Sequence, residues 1–157
     1  MDKALIIILI LINSICFSQS KDKRNNIILK STRYTSAFCA GYLEGVGDKL
    51  VHNYSDVKRV HPNMNDQFCD PNISWRNKWK NGDPTQGEKY LGSSTIFVPF
   101  EDLWHGAKGG QRIFTIGSSI IIPIGEKKSW KWYLKELAIG YACNRAGFYT
   151  SYNLIYK

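Results

Sequence analysis

The sequence predicts a mainly α fold: a compact bundle of three to five helices, with a long irregular Trp/Asn/Pro-rich excursion between the first two. Three observations predict it. Apolar residues recur at three- and four-residue steps over residues 31–57, they do so again over residues 129–156, and the apolar stretch 113–124 lies between helical neighbours.

Taken in order, the chain opens with Asp2 and Lys3, then an apolar run from Ala4 to Ile12, with Ile15, Cys16 and Phe17 after a polar break. The small residue Ser18 and the charged cluster Lys21-Asp22-Lys23-Arg24 follow. A short apolar core ending in a small residue reads as a secretion signal over residues 1–18. The run is shorter than the roughly 20 apolar residues a spanning helix needs. An uncleaved anchor is the competing account, because Asp2 offsets Lys3. A lipoprotein signal is disfavoured, since Ile15 rather than a small residue precedes Cys16. Residues 19–157 are then one helical domain, long enough for a core and too short for two.

The first helix is expected over residues 31–57, capped by Ser31 or Thr32, with Leu43, Val46, Leu50 and Tyr54 as its apolar stripe and Cys39 one turn earlier. Residues 58–90 are punctuated by Pro62, Pro71, Asn81-Gly82, Pro84 and Gly87 and read as the excursion. Trp75, Trp79 and Phe68 argue against disorder there. Pro99 suits the first position of a short helix with Glu101 and Asp102 in its first turn, which Gly106 or Gly109-Gly110 would end or kink. The isoleucine-rich stretch after it is read as helix. Ser129 is placed as the cap of the last helix, with Trp130, Tyr133, Leu134, Leu137, Ala138 and Tyr141 as its stripe and Gly147 as a break.

The chain carries 21 Lys and Arg against 13 Asp and Glu, a net charge of +8. That favours anionic partners, a membrane surface or an envelope polymer. A merely soluble basic surface explains the surplus equally well. Nucleic acid is not an expected partner of an exported chain. Cys39, Cys69 and Cys143 have no Cys-x-x-Cys spacing, which removes the thioredoxin-like and zinc-finger classes. In an oxidising compartment two of them could pair. The sequence also lacks a Gly-x-Ser-x-Gly elbow, a phosphate loop and a His-Glu-x-x-His motif.

The most informative pattern lies on the first helix. At 100° per residue, Gly41, Glu44, Gly45, Asp48 and His52 fall in one narrow stripe opposite the apolar one. Asp102 and His105 share a face if their own stretch is helical. Two helices that each offer a carboxylate and an imidazole can hold a metal within a bundle, so Asp48, His52, Asp102 and His105 are the expected ligands of one divalent transition metal. Without metal, Glu44, Asp48, His52, Asp102 and His105 are the expected acid/base groups of a catalytic site, because a carboxylate orients a neighbouring imidazole. The blander account makes Glu44, Asp48 and His52 a wet helix face. Gly41 and Gly45 speak against it, since glycine is costly in an exposed helix and small residues one turn apart admit another backbone.

A second pattern, Trp75-Arg76-Asn77-Lys78-Trp79-Lys80, interleaves indoles with cations. Trp75, Arg76, Lys78 and Trp79 are the expected substrate-binding residues, suited to a head group at a membrane interface. The competing account pins both indoles onto the helices as packing anchors.

Pro71-Asn72-Ile73-Ser74-Trp75-Arg76-Asn77-Lys78-Trp79, Gly92-Ser93-Ser94-Thr95 and Asp102-Leu103-Trp104-His105 resemble segments of a group of small exported or membrane-associated bacterial proteins. These share an Asp-x-x-x-His helix, a Ser-Trp-x-Asn-Lys loop and an Asp-x-Trp-His segment. The resemblance spans Phe38 to about Lys108 and implies no activity.

Two functions are expected from these features. One is an exported, membrane-proximal protein of the periplasm or cell envelope that hydrolyses an anionic lipid or phosphoester. The other is a non-enzymatic envelope component that docks on membrane or a protein through its Trp/Lys segment.

Overall fold

The structure, a computed structural model, describes residues 21–120 and 128–157, with side chains from residue 26 onward. The expected signal segment and residues 121–127 lie outside the described residues. The fold is mainly α: α1 Lys21–His52, α2 Tyr54–Val60, α3 Asp66–Cys69, α4 Pro71–Ser74, α5 Leu103–Ile120 and α6 Trp130–Tyr149. Short 3-10 turns stand between α4 and α5, and a wider helical turn, Thr150–Ile155, follows α6. No strand occurs among the described residues, only an isolated antiparallel bridge between Trp79 and Glu88.

α1 is the spine, packed against both α5 and α6. It begins ten residues before the expected start, so Ser31 and Thr32 lie inside it rather than at its cap. It also stops earlier, at His52. Asn53 leaves helical geometry (φ −146°, ψ 54°), which places Tyr54 in α2. The expected apolar stripe is otherwise where the core forms. Val46 and Leu50 of α1 cluster with Val57, Ala107 and Tyr156, and Tyr42, Tyr54, Met64, Leu103, Trp104 and Ile155 pack around them. Burying such side chains stabilises by roughly 1.5–3 kcal/mol each.

The seam between α1 and α6 is built differently. A Cβ at Gly41 would overlap the Asn144 carbonyl, one at Gly45 the Ser151 hydroxyl, and one at Gly147 the Phe38 carbonyl. The two backbones meet where no larger residue fits, which repays the roughly 1 kcal/mol that each helical glycine costs relative to alanine. Gly147 therefore does not break α6 as expected; it is a contact point of an unbroken helix. Ser129 caps α6 as expected, its hydroxyl accepting the Trp132 N–H.

α5 is a single helix through Gly106, Gly109 and Gly110, none of which ends it. These glycines admit neighbours: Gly106 and Gly109 lie against Pro99, and Gly110 against Leu43. Pro99 is not the first residue of α5 but belongs to the 3-10 turn Val98–Phe100 packed on the glycine side of the helix.

The excursion is ordered by its polar residues. Asn65, Asp70 and Asp83 accept the backbone N–H two residues on, the local bond that Asn and Asp make in turns. Asn81 at φ 54° and Gly82 at φ 74° form the left-handed corner that the Asn-Gly pair suggests. Ser93, fully buried, donates to the Lys78 carbonyl at 2.7 Å, and Asn77 donates to the Glu101 carbonyl at 2.8 Å. These bonds carry the excursion back to the start of α5.

Candidate acid–base site

Asp102 directly precedes α5 and caps it. Its Oδ1 accepts the His105 backbone N–H at 2.8 Å, the bond that satisfies an orphan donor of a first helical turn. Its Oδ2 lies 2.6 Å from His105 Nδ1. Asp102 is 2% exposed, whereas the His105 side chain keeps 24% of its surface. A carboxylate only accepts, so in the neutral ring Nδ1 is the nitrogen that carries the proton and Nε2 the one with the lone pair. None of the described hydrogen bonds uses Nε2. The ring is held edge-on to Trp104, with centroids 4.5 Å apart. Such a pair can take a proton from a water or hydroxyl, because the carboxylate fixes the ring and stabilises the imidazolium that forms.

The neighbouring carboxylate, Glu101, enters a separate network. It accepts from the Tyr90 hydroxyl and pairs with Lys89 at 3.3 Å.

The stripe expected on α1 does not converge on this pair as a unit. Asp48 is bound by Lys108 of α5 at 3.1 Å. Lys108 lies three residues past His105, on the same side of that helix. Glu44 turns instead toward Arg145 of α6, 3.9 Å away. His52, at the end of α1, is exposed and has no partner among the described residues. The stripe is thus neither a wet face nor one site. Its glycines meet the α6 backbone and its two acids tie α1 to a helix on either side.

Asp48, His52, Asp102 and His105, the expected metal ligands, are not gathered at one point. Among the described residues, no group of three or more His, Cys, Asp or Glu is arranged to hold a metal ion. Lys108 and Arg145 instead pair with the two acids of the α1 stripe. Of the five expected acid/base residues, the structure brings together Asp102 and His105. Asp48 reaches their helix through Lys108.

Trp75, Arg76, Lys78 and Trp79 form two cation–π pairs: Arg76 over the Trp75 ring at 5.3 Å and Lys78 over the Trp79 ring at 5.5 Å. Trp79 is half-buried and held by the bridge to Glu88, while Trp75 is more exposed. Cys39, Cys69 and Cys143 are all free thiols, and burial pushes each of them up, which keeps them as thiols rather than nucleophilic thiolates.

Sequence reasoning missed a second polar cluster. Arg33 of α1 donates to the Glu136 carboxylate and to its carbonyl, and the Tyr34 hydroxyl donates to the same carboxylate at 2.7 Å. Both charges are buried. Burial alone would raise Glu136; the Tyr34 and Arg33 hydrogen bonds and the Arg33 charge outweigh it and hold the carboxyl below its ordinary value. Tyr34 is pushed up to about 12 by burial and then by Glu136. The available signal was that Glu136 is the single acid of α6, standing amid apolar residues. Nothing local marked Arg33 as its partner.

No family model, no curated protein and no solved structure matches the chain.

Proposed function

We propose that this chain is an exported, membrane-proximal protein of the periplasm or cell envelope that hydrolyses an anionic lipid or phosphoester, with His105 as general base. The observation that carries the reading is the His105–Asp102 pair: a buried carboxylate 2.6 Å from an imidazole that keeps part of its surface in solvent. A water proton would pass to Nε2 as the water oxygen attacks the ester, and the imidazolium would return that proton to the departing alkoxide. Trp75, Arg76, Lys78 and Trp79 would hold the head group, the cations on phosphate and the indoles against the acyl or glycerol portion.

The test is hydrolysis of phosphatidylglycerol vesicles and of a bis(p-nitrophenyl) phosphate probe by the purified full chain. His105→Gln should lose about 100-fold or more in rate. Asp102→Asn keeps a good helix cap and removes the charge, so it should lose rate with little loss of stability. A wild-type chain inert on both probes, or a His105→Gln variant as active as wild type, would sink the reading.

The second reading is a non-enzymatic envelope component that docks through its Trp/Lys segment. It is favoured by the two cation–π pairs on the excursion, and by the fact that Asp102 already has a structural task as the cap of α5.

A further inference from the structure

We propose that α6 is a lipid-docking helix that lies along an anionic membrane surface, a second contact element distinct from the Trp75–Trp79 segment. Trp130, Leu134, Leu137 and Tyr141 recur at steps of four, three and four residues. At 100° per residue they fall within an arc of about 60°. All four are between 55% and 70% exposed. Another side of α6 packs on α1: Glu136 binds Arg33 and Tyr34 and Gly147 meets Phe38, while Asn144, at the edge of the stripe, approaches the Ala37 carbonyl. One side of the helix is therefore fixed to α1, which leaves the apolar stripe outward. A contiguous apolar stripe of this size on a soluble surface marks an interaction site.

Charge selects the occupant. α5 carries Lys108 and Arg112 and no acid; α6 carries Lys131, Lys135 and Arg145 and a single acid, Glu136, which is buried against Arg33. Lys131 and Lys135 are exposed on the flank of α6 beyond Leu134, and the Lys131 ammonium stands 5.9 Å from the Trp130 ring centroid. A second copy packed stripe to stripe would bring these cations no exposed acid of α6 to pair with. An anionic bilayer complements them, and Trp and Tyr are the side chains that settle at the head-group level. No described helix is long and apolar enough to cross a membrane, so contact through Trp130, Leu134, Leu137 and Tyr141 would be at the surface.

The inference rests on the membrane-proximal part of the reading above and not on the chemistry of His105. The assay has no catalytic readout, so either can fail alone. The full chain is co-sedimented with phosphatidylcholine vesicles with and without one quarter phosphatidylglycerol. Binding should require the anionic lipid and weaken steeply with salt. Leu134→Asp with Leu137→Asp should reduce it at least tenfold without changing the far-ultraviolet circular dichroism. Lys131→Glu with Lys135→Glu should weaken the preference for phosphatidylglycerol. As a check independent of the double variant's folding, brominated phosphatidylglycerol should quench wild-type tryptophan fluorescence, and Trp130→Phe should remove most of that quenching. The proposal is overturned by equal binding to both vesicles, by full binding of the Leu134/Leu137 variant, by quenching unchanged in Trp130→Phe, or by a dimer that this stripe alone holds together.

Discussion

Two helices of this molecule carry apolar stripes of the same period, and the stripes face different surroundings. On α1, Val46 and Leu50 are buried and form the centre of the core. On α6, Trp130, Leu134, Leu137 and Tyr141 are spaced as regularly and stand outside the fold. The polar residues reverse in the same way. α1 sends Asp48 and Glu44 to cations on α5 and α6, and α6 turns its one acid inward to Arg33. Periodicity reveals that a helix has two faces. Which face meets the protein is decided by what the opposite helix offers, here glycines that allow contact and an arginine that needs a carboxylate.

The strongest way to break this comparison is to remove the inward polar partner. Arg33→Ala leaves Glu136 buried without its guanidinium and should cost about 3–5 kcal/mol, read by denaturant unfolding near neutral pH. Acid sharpens the result. In the wild-type chain the folded Glu136 carboxyl titrates below its ordinary value of 4.5, so its stabilising contribution is present above that pH and fades as the pH falls below it. Without Arg33, the Tyr34 hydrogen bond is the main counterweight left against burial, so the variant gains less from ionising Glu136. The deficit of the variant should therefore be largest near neutrality and shrink below about pH 4.5. A deficit that stays constant across this range would show that Glu136 does not draw its charge stabilisation from Arg33.

The helical class was legible because α1 and α6 repeat apolar residues at helical steps and because Ser129 is a strong cap. Gly41 and Gly45 were legible as a contact surface, since exposed helical glycine has no other justification. The breaks assigned to Gly106, Gly109-Gly110 and Gly147 were not found. Glycine signals equally a helix end and a close approach, and only the presence of Pro99, Leu43 or Phe38 across the gap decides between them. Within the candidate site, Asp102 and His105 were legible from their three-residue step, although Asp102 acts as a cap rather than from within the helix. The wider convergence failed for a long-range reason. Lys108 and Arg145 lie far along the chain from Asp48 and Glu44, and no local pattern pairs them. His52 fell outside any site because α1 ends on it.

The comparison itself is tested most directly by one truncation made in both stripes. Leu50 is fully buried, so Leu50→Ala removes transfer free energy and leaves a cavity, and should cost about 2–5 kcal/mol. Leu137→Ala removes the same atoms from a side chain that is more than half exposed and leaves no cavity. It also puts a better helix former on α6, so its effect on folding should be within about 0.5 kcal/mol of zero. Both are measured by chemical unfolding of the lipid-free chain. Should Leu137→Ala cost as much as Leu50→Ala, the outward stripe is covered in solution and the two helices do not differ as described. A near-zero value instead means that the Leu137 side chain does not contribute to the folded state, which leaves its regular spacing with Trp130, Leu134 and Tyr141 to be explained by what binds there.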